Sequence, residues 1–165
     1  MRASSPAATL SAGASIAGVP YFICPNCKRR SIDHDRREGL THQSVGCPNC
    51  GFGFLFELMD DYYPSPAAGF VVCDSDRRIL AAGRGVFELT GFSESELLGQ
   101  VVDDAFGLNG GDGPSPAEVA VEWGVRQMGR QLELTTKAGM RKTVKADFFP
   151  AYDADGGLLV ALAPR

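Results

Sequence analysis

Phe87-Glu88-Leu89-Thr90-Gly91-Phe92-Ser93-Glu94-Ser95-Glu96-Leu97-Leu98-Gly99 holds two short helices together with the residues that start and stop them. Gly91 closes the first helix, over about Val86 to Leu89. Ser93 is an N-cap with Glu96 three residues on, the spacing of a capping box, and Gly99 ends the second helix. Upstream, Gly69-Phe70-Val71-Val72-Cys73-Asp74 is a short β-branched and aromatic run, hence a strand. Ser75-Asp76-Arg77-Arg78 turns the chain, Ile79-Leu80-Ala81-Ala82 returns it as a hairpin, and Gly83-Arg84-Gly85 breaks the second strand. Downstream, the glycine-rich Gly107 to Pro114 lacks the lysine of a phosphate-binding loop and reads as a connector. A longer helix opens at Ser115-Pro116-Ala117-Glu118, with proline at its first position. Val119, Trp123 and Val125 or Arg126 follow at near-helical spacing, which predicts a helix ending near Gly129 with Trp123 on its core face. Three strands are predicted after it, Gln131 to Thr136, Arg141 to Tyr152 and Gly157 to Ala163, joined by turns at Lys137-Ala138-Gly139 and Asp153-Ala154-Asp155-Gly156.

Two strands, several short helices, one longer helix and three antiparallel strands follow one another in that order. In this order and spacing, Gly69 to Asp74 with Ile79, Phe87 to Ser93 with Glu96 to Gly99, Lys145 to Pro150 and Asp153 to Gly157 resemble a PAS sensor domain. The resemblance spans nearly all of residues 66–165. It implies an α+β fold, a five-stranded antiparallel sheet with helices on one face, around an interior that holds a small molecule or only side chains. The chain departs from the family's pattern at Gly83 and Gly85, where asparagine and alanine are usual. Haem commonly needs an axial histidine, and both histidines, His34 and His42, lie outside this region. Photoactive flavin domains of the family carry a cysteine in the helix after the second strand, and Arg84 to Leu89 has none. Neither haem nor a photoactive flavin is therefore expected. Cys73, on the first strand, reads as a small buried apolar residue.

The other four cysteines form a second motif. Cys24, Cys27, Cys47 and Cys50 are spaced C-x2-C-x19-C-x2-C, and both pairs are spelled Cys-Pro-Asn-Cys. Zinc takes four soft ligands in a tetrahedron, and two intervening residues let one tight turn aim both sulfurs of a pair at one ion. Proline sets φ for each turn, asparagine tolerates left-handed geometry near its end, and Gly51 gives the sharp bend after the second pair. Tyr21, Phe22 and Ile23 before the first pair, and Phe52, Phe54, Leu55 and Phe56 after the second, read as short flanking strands. Residues 20–57 resemble a zinc ribbon, which implies a structural zinc on the four cysteines with no open position for catalysis. Two dithiol pairs acting as a redox or zinc-release switch are the alternative, and the βαβ context of a thioredoxin-type motif is absent. His34 and His42 read as solvated residues of the intervening loop.

The 165 residues carry 16 basic and 20 acidic side chains, a net charge of −4, with a pI of about 5.1. The 44% apolar and 22% charged content is that of a folded globular chain. This balance argues against a surface built for nucleic acid, although Lys28, Arg29, Arg30, Arg36 and Arg37 crowd the inter-pair loop. That loop also carries Asp33, Asp35 and Glu38 and has no aromatic residue to stack on bases. No apolar run approaches the ~18 residues of a membrane span. Met1 to Val19 is rich in alanine, serine and glycine and lacks the apolar core of a secretory signal. Free paired thiols suit a reducing, cytoplasmic compartment.

Residues 1–19 therefore read as a disordered leader, 20–57 as a zinc ribbon, 58–65 as a linker and 66–165 as a PAS-like domain. No catalytic constellation accompanies them, so an enzyme is not expected. The leading reading is a signalling module that senses a small molecule or docks a partner. A nucleic-acid-associated regulator working through the basic loop, or a thiol redox sensor, is the alternative. In Lys142 to Phe149, side chains alternate between faces. Val144, Ala146 and Phe148 form the core side, and Lys145, Asp147 and Phe149 lie on the other, with Phe149 expected as an exposed anchor for a partner or a second copy.

Overall fold

In the computed structural model, which describes residues 20–31, 47–59, 62–108, 111–151 and 156–165, two antiparallel sheets stack face to face. The smaller sheet comes from the cysteine segment: β1 (Pro20–Ile23), β2 (Arg30–Ser31) and β3 (Phe56–Met59), in the order β2-β1-β3. The larger sheet is built from β4 (Gly69–Cys73), β5 (Ile79–Ala82), β6 (Gln127–Thr135), β7 (Arg141–Pro150) and β8 (Leu158–Pro164). Its strand order is β5-β4-β8-β7-β6, antiparallel throughout. Four helices cross one face of it: α1 (Val86–Thr90), α2 (Glu94–Leu97), α3 (Val102–Phe106) and α4 (Pro116–Trp123). The expected five-stranded antiparallel sheet with helices on one face is the observed one.

Local signals account for the helix ends. Gly91 closes α1 in the left-handed region. Capping boxes at Ser93 and Ser115 open α2 and α4, the latter with Pro116 in its first turn. The short helix α3 adds to the expected elements: Val102 and Phe106 stand four residues apart, both are fully buried, and Gly107 caps the end. The last helix is shorter than its spacing predicts. Gly124, at φ 66°, stops α4 at Trp123, and β6 begins at Gln127. Trp123 is consequently 73% exposed and is not a core residue. Gly129, expected at the helix end, instead sits in an irregularity of the β6–β7 ladder, where its N–H donates to Asp147 Oδ1 at 2.7 Å.

Both faces of the large sheet are covered. The helix side buries Val71, Leu97, Val102, Phe106, Leu134, Val144, Ala146, Phe148 and Val160 in one cluster. On the other side, Phe70, Val72, Ala81, Phe149, Leu159 and Ala161 pack against Ile23, Phe56, Leu58 and Tyr62 of the cysteine segment. Phe149 thus lies on the face opposite Val144, Ala146 and Phe148, as the alternation indicates. The expectation that this face is open is corrected, because the chain's own N-terminal module occupies it. Phe149 is buried beneath Tyr62, with ring centroids 4.6 Å apart, edge to face. Asp147, on the same face, is buried too and accepts from the Tyr62 hydroxyl at 3.2 Å. Leu58 and Tyr62, from the stretch expected to be linker, belong to this shared core, and β3 runs on to Met59.

Phe70, Val72, Phe149 and Leu159 together represent roughly 6–12 kcal/mol of gross burial at ~1.5–3 kcal/mol each. The module that covers these side chains is therefore part of the fold and not an appendage.

The seam also explains the departure at Gly83. A β-carbon there would lie 2.1 Å from the Pro25 carbonyl oxygen, so any side chain would push the first cysteine turn off the sheet.

Phe149→Ala is expected to cost about 3–5 kcal/mol in a denaturant melt, as deletion of a core phenylalanine does. A second expectation concerns acid. The Lys137 ammonium and the Ser93 backbone and hydroxyl hold the Glu96 carboxyl down at about 2, from an ordinary value of 4.5. A depressed carboxyl stabilises the fold fully above its unfolded pKa and loses that contribution as pH falls through the folded one. The stability difference between wild type and Glu96→Gln, measured by thermal melts, should therefore be largest near neutrality and close as the pH approaches 2.

Candidate metal centre

Each Cys-Pro-Asn-Cys stretch folds into the same turn. Lys28 N–H donates to Cys24 O, and Gly51 N–H to Cys47 O, both at 2.8 Å. The returning bonds also match, from Cys24 N–H to Arg29 O and from Cys47 N–H to Phe52 O. The left-handed residue is the one after the second cysteine, Lys28 at φ 64° and Gly51 at φ 80°. The asparagines were expected to take up that geometry and do not. Their role lies in the side chains.

The two turns bring Cys24, Cys27, Cys47 and Cys50 together, with all four sulfurs within 4.8 Å of one another. Cys24 Sγ lies 3.5 Å from Cys50 Sγ, and Cys27 Sγ lies 3.8 Å from Cys47 Sγ. Zinc–sulfur bonds of about 2.3 Å in a tetrahedron place sulfurs about 3.8 Å apart, so the set is compatible with a four-thiolate site. A disulfide requires about 2.05 Å, and all four cysteines are free.

Asn26 Nδ2 donates to Cys50 Sγ at 3.6 Å, and Asn49 Nδ2 donates to Cys27 Sγ at 3.4 Å, each reaching a sulfur of the opposite pair. Backbone N–H groups of Cys27 and Asn49 point at Cys24 and Cys47 Sγ. These donors divide the thiols. The Asn26 amide, followed by the Phe52 N–H, pulls Cys50 down to about 6. Burial pushes Cys27 up but is outweighed by the Asn49 amide and the Arg29 N–H, so its thiol lies below the ordinary value. Cys24, deeper in the module, is pushed up to about 12 by burial. Thiolate ligands therefore have aimed dipoles already in place, and a bound cation would favour the charged form of all four.

The basic residues seen beside the cysteines are engaged within the chain. Lys28 Nζ donates to Pro66 O at 2.8 Å, Arg29 donates to Asn49 Oδ1 at 2.9 Å, and Arg30 stacks over Tyr63. His34, His42, Arg36 and Arg37 lie outside the described residues.

Cys73 points into the helix-side core, and burial, with Asp74 and Asp103 nearby, pushes its thiol far above the ordinary range. A concavity of about 870 Å³ opens between α3, the start of α4 and β6. At its edge the buried Asp103 accepts from Arg77 at 2.6 Å and from the Ser115 hydroxyl at 2.9 Å. This pair ties the hairpin turn to both helices, a role that neither residue's position in the sequence announced.

No family model matches the chain and no curated protein matches it in sequence. Solved structures do match in shape. A fungal LOV-domain photoreceptor is 21% identical, with 65% of this chain and 81% of that chain covered and a TM-score of 0.52. A domain of a sensory box sensor histidine kinase/response regulator from Geobacter sulfurreducens is 17% identical over 61% and 86% of the two chains, at a TM-score of 0.50. The light-state dimer of the fungal blue-light photoreceptor Vivid is 15% identical over 62% and 80%, at 0.51. The larger unit of this chain accordingly has a PAS-like fold, with four clustered cysteines in the module that precedes it.

Alkylation of reduced protein near neutral pH should separate the two kinds of cysteine. Cys24, Cys27, Cys47 and Cys50 are expected to become modified once metal is stripped, and Cys73 to stay unmodified until the PAS-like domain unfolds, as read by peptide mass spectrometry.

Proposed function

We propose that this chain is a non-enzymatic sensing and interaction module, a PAS domain whose sheet is capped by a ribbon locked with structural zinc. The convergence of four sulfurs at zinc-like separations, each pair steadied by an asparagine of the other, carries this reading. Zinc held by Cys24, Cys27, Cys47 and Cys50 has no open coordination position, so its contribution is to folding. For a segment this small, apparent metal binding of about 10–16 kcal/mol outweighs what its own core supplies. The signalling role rests on the fold and on what the similar structures are described as doing. Four free thiols suit a reducing compartment such as the cytoplasm, and no helix of the described residues is long and apolar enough to cross a membrane.

Neither haem nor a photoactive flavin belongs to this reading, although two of the similar structures are photoreceptors. Residues 64–165 contain no histidine, and their one cysteine, Cys73, is buried on a strand. The helix-side residues Leu97, Phe106, Leu134 and Phe148 are packed together in the buried core beneath the sheet, which supports an interior of side chains. Binding to nucleic acid is disfavoured by the net charge of −4 and by the internal engagement of Lys28, Arg29 and Arg30. The partner is then a protein or a second copy, meeting a surface other than the covered face of the sheet, or a small molecule.

Freshly purified protein tests this in one set of measurements. Metal analysis should give about one zinc per chain, reduced in Cys24→Ser and Cys50→Ser. Absorption at about 400–450 nm should be absent from protein kept in the dark. Sub-micromolar binding to DNA or RNA at ~0.15 M salt should also be absent. A metal-free chain that is folded over residues 20–57 would overturn the zinc reading. Visible absorption would overturn the cofactor reading.

A further inference from the structure

The two cysteine turns are near copies, yet their asparagines face different neighbours. In both, the amide nitrogen donates to a sulfur of the opposite pair, so the donor side is used in the same way. The oxygen side differs. Asn49 Oδ1 accepts from the Arg29 guanidinium, within the cysteine module, at 2.9 Å. Asn26 Oδ1 accepts from the backbone N–H of Arg84, in the PAS-like domain, also at 2.9 Å. One planar amide therefore grips a sulfur of the metal set with one end and the sensor backbone with the other.

The place it grips is not an arbitrary loop. Arg84 lies between Gly83, which donates to Phe70 O in β4, and Gly85, which opens α1 at φ 97°. Gly83 is stripped of its side chain where the Pro25 carbonyl oxygen presses on it. From there α1 sends Val86 and Leu89 into the helix-side core. Nearby, Lys28 Nζ holds Pro66 O, just upstream of β4.

We propose that Asn26 is a positioning residue that couples the metal centre to the sensor domain, so that zinc binding and docking of the ribbon on the sheet strengthen each other. The proposal rests on the four-cysteine zinc reading above. A metal-bound thiolate fixes the donor end of the amide more strongly than a neutral thiol can, because hydrogen bonds to a charged acceptor are the stronger ones. With its donor end fixed, the amide presents Oδ1 squarely to Arg84. Linkage is reciprocal: whatever factor zinc contributes to docking, docking contributes to zinc affinity. Asn49 supplies an internal control, since it makes the same bond to sulfur while its oxygen is engaged by Arg29 inside the module.

The test uses the full chain and three variants, Asn26→Ala, Asn49→Ala and Gly83→Ala. Zinc affinity is read by competition with a chromogenic chelator, and docking by hydrogen exchange of backbone amides 84–86 and 158–162, with zinc and after stripping. Both asparagine variants should weaken zinc by about 10–100-fold, the usual effect of losing a group that orients a metal ligand. Only Asn26→Ala should raise exchange at 84–86 while zinc is bound. Gly83→Ala, which replaces no residue that touches a sulfur and presses on the first cysteine turn from the sheet side, should weaken zinc about 5-fold or more through loss of docking. Stripping zinc from the wild type should raise exchange at both segments. The coupling is overturned if Gly83→Ala binds zinc as wild type does while its exchange rises. It is also overturned if zinc-loaded Asn26→Ala and Asn49→Ala exchange alike at 84–86. A wild-type chain that binds no zinc overturns the metal reading itself, and is recognised separately by the metal analysis.

Discussion

The packing of Phe70, Val72, Phe149, Leu159 and Ala161 against Ile23, Phe56, Leu58 and Tyr62 is the contact on which the rest of this molecule depends. A five-stranded sheet has two faces, and the helices cover only one. Exposing the other would place a contiguous patch of aromatic and aliphatic side chains in water, which soluble chains seldom tolerate beyond a few hundred Å². Covering it requires a second layer, and the cysteine segment is that layer. Its three strands are too short to hold a fold by burial alone. Sheet and module are each incomplete without the other.

The seam imposes its own steric demands. A layer can approach a sheet closely only where side chains stand aside, and at Gly83 the approach is backbone to backbone. Polar groups trapped in the seam find partners there: Asp147 takes the Tyr62 hydroxyl on one oxygen and the Gly129 N–H on the other. A buried carboxylate without such donors would cost several kcal/mol, so the bulge at Gly129 and the placement of Tyr62 belong to one solution.

The metal centre obeys the same economy of local groups. Four sulfurs held within 4.8 Å would repel as thiolates without a cation among them. Two asparagine amides and several backbone N–H groups point at them, and these donors would steady the charge of a four-thiolate cluster. The near repetition of Cys-Pro-Asn-Cys thus carries two functions in four residues, ligands at the ends and a sulfur-directed donor between them.

Much of this was legible in residue order. Capping boxes at Ser93 and Ser115, the glycine stops and the C-x2-C pairs act over three or four residues, within reach of local sequence, and they delivered the strand and helix order and the four candidate ligands. Alternation along β7 also sorted Phe148 and Phe149 onto opposite faces. Which face meets water was another matter, because alternation separates two sides without saying what lies against either. A signal for double coverage was present in the unbroken apolar runs Phe70 to Cys73 and Leu158 to Leu162, since strands buried on both faces lose their alternation. The exposure of Trp123, the demand for glycine at position 83 and the different tasks of Asn26 and Asn49 had no such signal. Each depends on a neighbour far away in the chain, Pro25 for Gly83 and Arg84 for Asn26, or on where a helix happens to stop. Short-range chemistry determined the elements and the ligands; the stacking of one sheet on another, a contact between residues tens of positions apart, decided what they cover.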